Sequence, residues 1–152
     1  MLKIVAYEGQ YKNIFRDLNL AWLQHFFYVE EKDHELLNES DTHILEKGGF
    51  IFIGLWNQKP VSCYALLKLE EGIFELGKMA VDENHQGLQI GQRMLTHAIE
   101  LAKGNQWKKI ILYSSTKLNP ALHIYRKHGF KEILLEGNSP YTRSDIKMEL
   151  IV

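Results

Sequence analysis

Between Glu75 and Leu95 the hydrophobic pattern changes period once, and that change restricts the folds open to the chain. Ile73 to Val81 reads as a strand, whereas Ile90, Met94, Leu95, Ala98, Ile99 and Ala102 recur on one face of a helix. The connection holds Gln86-Gly87-Leu88-Gln89, and Gly91 lies in the first helical turn. A strand that passes through such a loop into a helix leaves successive backbone N–H groups free at a positive helix end. This outlines an anion cradle, although the glycines alone fit a tight turn and close packing equally well. No Gly-Lys-Ser/Thr ends the loop, so it is not a Walker loop. The spacing of Gly87 and Gly91 is not that of the dinucleotide fingerprint, which disfavours NAD and ATP.

The flanking segments predict the rest of the sheet. Lys3 to Tyr7 reads as a strand, Tyr11 to Phe26 as a helix, and Asp33 to Ser40 as a short second helix. Gly49 to Trp56 and Val61 to Leu69 flank Asn57-Gln58-Lys59-Pro60 as a hairpin, and Glu70-Glu71-Gly72 turns into Ile73 to Val81. The helix from Ile90 is expected to stop at Gly104 in a left-handed conformation. Lys109 to Ser114 follows as a strand. Asn119-Pro120 then opens a helix, with Asn119 as cap, that ends at Lys127-His128-Gly129-Phe130. Lys131 to Leu135 and Asp145 to Ile151 are the last strands, and an exposed edge on the final one could support a homodimer. The expected fold class is α+β, a mixed, mostly antiparallel sheet of about seven strands flanked by helices, in one domain over residues 1–152.

Charge and composition exclude several functions. Eighteen Lys and Arg face 19 Asp and Glu, a net charge of -1, which gives no bulk attraction to nucleic acid. No apolar run reaches the ~18 residues of a membrane span, and the N-terminus lacks the pattern of a secretory signal. The lone Cys63 lies in an apolar stretch and suits a reducing, cytoplasmic setting. The histidines pair with no Cys or Asp at ligand spacing, so no metal is expected.

Two motifs together resemble the GNAT family of acyl-CoA-dependent N-acetyltransferases. Gln86-Gly87-Leu88-Gln89-Ile90-Gly91, after Met79-Ala80-Val81, is similar to the family's Arg/Gln-x-x-Gly-x-Gly/Ala loop, with Gln89 in place of the middle glycine. Asn119-Pro120-Ala121-Leu122-His123-Ile124-Tyr125 through Gly129-Phe130 is similar to its Asn-x-x-Ala-x-x-x-Tyr-x-x-x-Gly-Phe helix, with the Ala position shifted or filled by Leu122. The resemblance spans most of the chain. It implies acetyl-CoA as cofactor and a splay between the fourth and fifth strands, with the pantetheine arm in the gap beside Met79, Ala80 and Val81. It implies that Gln86, Gly87, Leu88, Gln89, Ile90, Gly91, Gln92 and Arg93 surround the pyrophosphate, with Gln89 expected at helical angles. Asn119 would face the cofactor, and Lys127 or Arg126 would meet the ribose phosphate unless they form only a solvated helix end.

The implied reaction requires a neutral amine. An alkyl amine with a pKa near 10 is about one part in a thousand neutral at pH 7, so a proton acceptor is needed. Glu75 is the candidate base, and strand alternation is expected to place Glu75, Gly77, Met79 and Val81 on one face. Tyr125 matches the family's tyrosine that protonates the leaving thiolate. Phe27, Tyr28 and Glu30 with Tyr141 and Arg143 are the candidate acceptor pocket, in which carboxylates beside aromatics suit an amine cation and Arg143 could pair with a substrate carboxylate. A small-molecule or peptide amine is the expected partner. The same aromatics also fit plain helix-to-sheet packing, and Gln89 keeps open a non-catalytic acyl-CoA-binding module.

Overall fold

The computed structural model describes residues 1–152. Its strands are β1 (Leu2–Ala6), β2 (Phe50–Trp56), β3 (Lys59–Glu70), β4 (Ile73–Val81), β5 (Lys109–Ser114), β6 (Lys131–Ile133) and β7 (Ile146–Ile151). They form one sheet in the order β1-β2-β3-β4-β5-β7-β6. The β2–β3 turn is tighter than expected: Asn57 and Gln58 both take left-handed φ, +51° and +74°, as a two-residue hairpin turn demands. Pro60 sits opposite Leu55 where the register shifts, a place that does not require its missing N–H.

Helices α1 (Lys12–Phe26) and α2 (Glu31–Asn38) cover one face of the sheet, and α3 (Ile90–Gly104) and α4 (Asn119–Lys127) cover the other. Phe15, Leu23 and Leu37 pack on Ile53, Cys63 and Ala65 beneath the first pair. Met94, Leu95, Ala98 and Leu122 pack on Tyr64, Leu66, Ile110 and Met148 beneath the second. No helix is long and apolar enough to cross a membrane.

Several local expectations are corrected. Gly104 is still helical. The left-handed residue after α3 is Gln106 (φ +58°), and the Trp107 N–H closes the helix on the Ala102 carbonyl. Asn119 is the first helical residue and makes no capping bond; Leu118 precedes it as cap. The end of α4 follows its sequence signal, with Gly129 at φ +101° and the Phe130 N–H donating to the Tyr125 carbonyl at 3.0 Å. The final strand is not an edge, because β6 pairs along it and takes the outer position.

β4 and β5 run parallel and pair only at Ile73–Lys109, Phe74–Ile110 and Glu75–Ile111. Beyond Glu75 they diverge, which is the splay expected between the fourth and fifth strands. An extra residue in β4 opposite Cys63–Ala65 of β3 forms a bulge, where Lys78 adopts φ +52°. The bulge reverses the strand's facing. Phe74, Leu76, Met79 and Val81 join the α3–α4 core, whereas Ala80 joins the α1–α2 core. Glu75 and Met79 therefore do not share a face, contrary to simple alternation.

Candidate active site

The divergence of β4 from β5 opens a groove of about 590 Å³. Its walls are β4 from Glu75 to Val81, β5 from Leu112 to Ser114, the glycine loop, Tyr125 on α4, and the end of α1 with Tyr141 and Arg143. Gln86, Gly87, Gln89, Ile90, Gly91 and Gln92 line it.

The loop presents unused donors. The N–H groups of Gly87 through Gln92 donate to no group in the protein, whereas that of Arg93 is committed to the Gln89 carbonyl at 3.1 Å. The run of unused donors thus ends at Gln92, and the Arg93 side chain donates to the Leu2 carbonyl. Gln89 is left-handed (φ +61°, ψ +21°), not helical, and is exposed. The substituted glycine position is therefore one that favours glycine, and Gln89 holds the turn against a backbone cost of about 1–2 kcal/mol. Leu88 is 43% exposed and, like Asn119 and Lys127, lies outside the groove lining.

At the narrow end sits Glu75, only 2% exposed. Burial raises its pKa above the ordinary carboxylate value, partly offset by the charges of Lys32, Lys78 and Lys147. It makes no hydrogen bond or ion pair. Across the groove, burial raises the Tyr125 hydroxyl above its ordinary value, so it stays protonated at neutral pH.

Beside Glu75 lies a buried charge network that sequence reasoning missed. Lys78 Nζ donates to Asp33 Oδ1 at 2.5 Å and lies 4.6 Å over the Tyr141 ring. Arg143 grips Asp33 with both terminal nitrogens, at 2.6 and 2.9 Å, donates to Glu30 at 3.0 Å, and stacks 4.5 Å from Tyr141 on its guanidinium carbon. Burial works to raise the Asp33 pKa, but the Arg143 bonds and the Lys78 charge hold it below the ordinary value. Glu30 also accepts from the Thr142 N–H at 2.9 Å, and Tyr28 shares a hydrogen bond with the Thr142 hydroxyl. Arg143, Glu30 and Tyr28 therefore fasten the β6–β7 connection to the start of α2. Neither Tyr28 nor Glu30 lines the groove; Phe27, Tyr141 and Arg143 do. A lysine inside the apolar run Leu76-Gly77-Lys78-Met79 is the one sequence signal of this network. Cys63 belongs to the core, where burial pushes its thiol up to about 12.

Known proteins share this architecture. A GNAT-family acetyltransferase from Staphylococcus aureus Mu50 has a TM-score of 0.85 at 23% identity, over 98% of each chain. An acetyltransferase from Bacillus subtilis in complex with CoA has a TM-score of 0.76 at 21% identity, over 100% of this chain and 99% of its own. A GNAT-family acetyltransferase from Elizabethkingia anophelis with acetyl-CoA bound has a TM-score of 0.73 at 20% identity, over 99% of this chain and 98% of its own. No curated protein sequence matches. At these identities the likeness is one of fold. The sequence itself goes further, because residues 15–130, which include both the donor-bearing loop and α4, match the Acetyltransferase (GNAT) family. Most of the chain is thereby accounted for, and it belongs to the GNAT acetyltransferase family.

Proposed function

We propose that the protein transfers an acetyl group from acetyl-CoA to a primary amine of a small molecule or peptide, by direct attack while both substrates are bound. The observation that carries this reading is the row of unpartnered N–H groups from Gly87 to Gln92 at the mouth of the β4–β5 gap. A row of donors at a helix N-terminus fits a pyrophosphate. Acetyl-CoA, when bound, supplies an activated carbonyl carbon and a sulfur leaving group.

The remaining steps fall to the chain. Gln86 and the free N–H groups hold the pyrophosphate, and Met79, Ala80 and Val81 offer the strand edge that β5 leaves unpaired. Glu75 accepts the proton from the attacking nitrogen as the N–C bond forms. Its raised pKa keeps it a stronger base than an exposed carboxylate. Tyr125 gives its hydroxyl proton to the sulfur as the C–S bond breaks. The buried Cys63 thiol, pushed up to about 12, is unsuited to a covalent step, and a buried free thiol accords with a cytoplasmic setting.

Calorimetric titration with acetyl-CoA, with NAD and ATP as controls, tests the cofactor; selective binding is expected. An amine panel assayed for free CoA then tests transfer. If Glu75→Gln and Tyr125→Phe both retain full turnover, the assigned acid and base are wrong.

A further inference from the structure

We propose that Lys32, in the first turn of α2, is a positioning residue for the transfer: its ammonium is the unpaired counter-charge that keeps the buried Glu75 carboxylate ionised to take the amine's proton. This rests on the acetyl-transfer reading and deepens it.

The setting of Glu75 creates the need. It borders both the groove and a neighbouring depression of about 570 Å³, and no other residue borders the two. Its Oε2 lies over the bare Gly77, 3.6 Å from where a Cβ would stand. A buried carboxylate without hydrogen bonds reverts to the neutral acid, which accepts no proton, unless a positive charge stands near.

Lys32 is the cation free to supply that charge. It lines the depression together with Glu75, and its Nζ lies 5.5 Å from the centre of the Tyr141 ring, which lines the groove with Glu75. The other cations here are committed. Lys78 is bound by Asp33, Lys147 by Glu136 and Lys68 by Glu71, while His43 pairs with Glu39. Lys147 also lies over the Tyr113 ring. Arg143 spends both terminal nitrogens on Asp33 and Glu30, not on the substrate carboxylate expected of it. Lys117 is unpaired as well, but it lies over the Phe27 ring and borders neither cavity. Lys47 in the depression is exposed, as are Glu31 and Glu35, so solvent screens all three.

The place of Lys32 in its helix points the same way. The second residue of α2 lies at the positive end of the helix dipole, which favours the acidic neighbours Glu31 and Asp33 and disfavours a lysine. A carboxylate outside the helix offsets that cost. Burial raises the Glu75 pKa, and of the charges that oppose the rise Lys32 comes first, ahead of Lys78 and Lys147.

The test is the pH dependence of kcat for whichever amine of the panel is acetylated. Lys32→Met should move the rising limb to higher pH, lowering turnover about three- to tenfold at its foot and less than about twofold on the plateau. Acetyl-CoA affinity by calorimetry should stay unchanged, and Lys32→Arg should return the limb to its place. Lys47→Met, in the same depression, should leave it there. Should Lys32→Met unfold, Lys32→Gln makes the same comparison. An unmoved limb overturns the proposal, as does a loss equal at every pH or an equal shift in Lys47→Met. If no amine is acetylated, or Glu75→Gln keeps full turnover, the transfer reading or its base fails by itself. The Glu75 carboxyl carbon, labelled with ¹³C and assigned by its loss in Glu75→Gln, then decides by its NMR titration. A midpoint that rises in Lys32→Met and returns in Lys32→Arg upholds the counter-charge; an unchanged midpoint removes it.

Discussion

Lys78 and Asp33 meet at 2.5 Å with side chains 4% and 0% exposed, so an ion pair joins the bulge of β4 to the first turn of α2 where water cannot screen it. Burial lowers the Lys78 pKa and the Asp33 charge opposes that, so each charge depends on the other. Asp33→Asn should therefore cost about 3–5 kcal/mol, because it leaves Lys78 an uncompensated buried charge, whereas Lys78→Met should cost less, because Arg143 still holds Asp33. Thermal unfolding is expected to fall by on the order of 10 °C. A loss as small as that of an exposed pair would mean that the pair contributes nothing to stability.

The same pair sets an acid limit. Because the folded pKa of Asp33 lies below its ordinary value, its contribution is complete above the unfolded-state pKa and is lost as pH falls through the folded one. Urea midpoints should start to fall as pH drops through the ordinary carboxylate range, and this contribution is gone below the folded pKa. In Asp33→Asn this acid drop should shrink.

Glu75 titrates in the opposite sense. Its pKa is raised by burial, with Lys32, Lys78 and Lys147 opposing and Glu136 adding to the rise, so in the proposed role of base it is ready only as pH climbs past the usual carboxylate range. The rate of the bound complex should show a rising limb there. Glu75→Gln should remove that limb and lower turnover by about 10²–10⁴-fold, with acetyl-CoA affinity unchanged by calorimetry.

Two substitutions in the glycine loop should move stability in opposite directions. Gly87 stands at φ +83° with open space around its Cα, so Gly87→Ala meets no clash and costs only the backbone conformation, about 1 kcal/mol. Gln89→Gly relieves the same strain and should gain a comparable amount, less the entropy of glycine. Denaturant midpoints of the two variants on either side of the parent would bear this out.

Gly49→Ala should be far worse. An added Cβ would lie 2.5 Å from the Leu66 carbonyl oxygen and 2.8 Å from that of Ile44, both backbone atoms that cannot turn aside. A loss of about 1–3 kcal/mol is expected from chemical denaturation.

What the sequence makes legible follows from where each signal resides. Gly129 and Phe130 carry their own instructions, so the close of α4 can be read locally, as can the strand-to-helix passage through Gly87. Gln89 and Gln106 take left-handed backbone without the glycine or asparagine that announces it, so the loop conformation and the end of α3 elude such a reading. The bulge at Lys78 depends on register against β3, and Gly77 beside it marks an irregularity without saying which residue is extra. The network escapes for a related reason. Asp33 is 45 positions from Lys78 and 110 from Arg143, and only the folded sheet brings them together.

Three rungs, Ile73–Lys109, Phe74–Ile110 and Glu75–Ile111, fasten β1–β4 to β5–β7 along the sheet. Elsewhere on this seam the strand edges stand apart, joined only through the core under α3 and α4, and amides along the open stretch should exchange early. Any molecule long enough to lie in the cleft and bond both edges replaces the missing rungs. The protection of those amides is then lent by the occupant, rising with occupancy as binding linkage requires and lost when the occupant leaves.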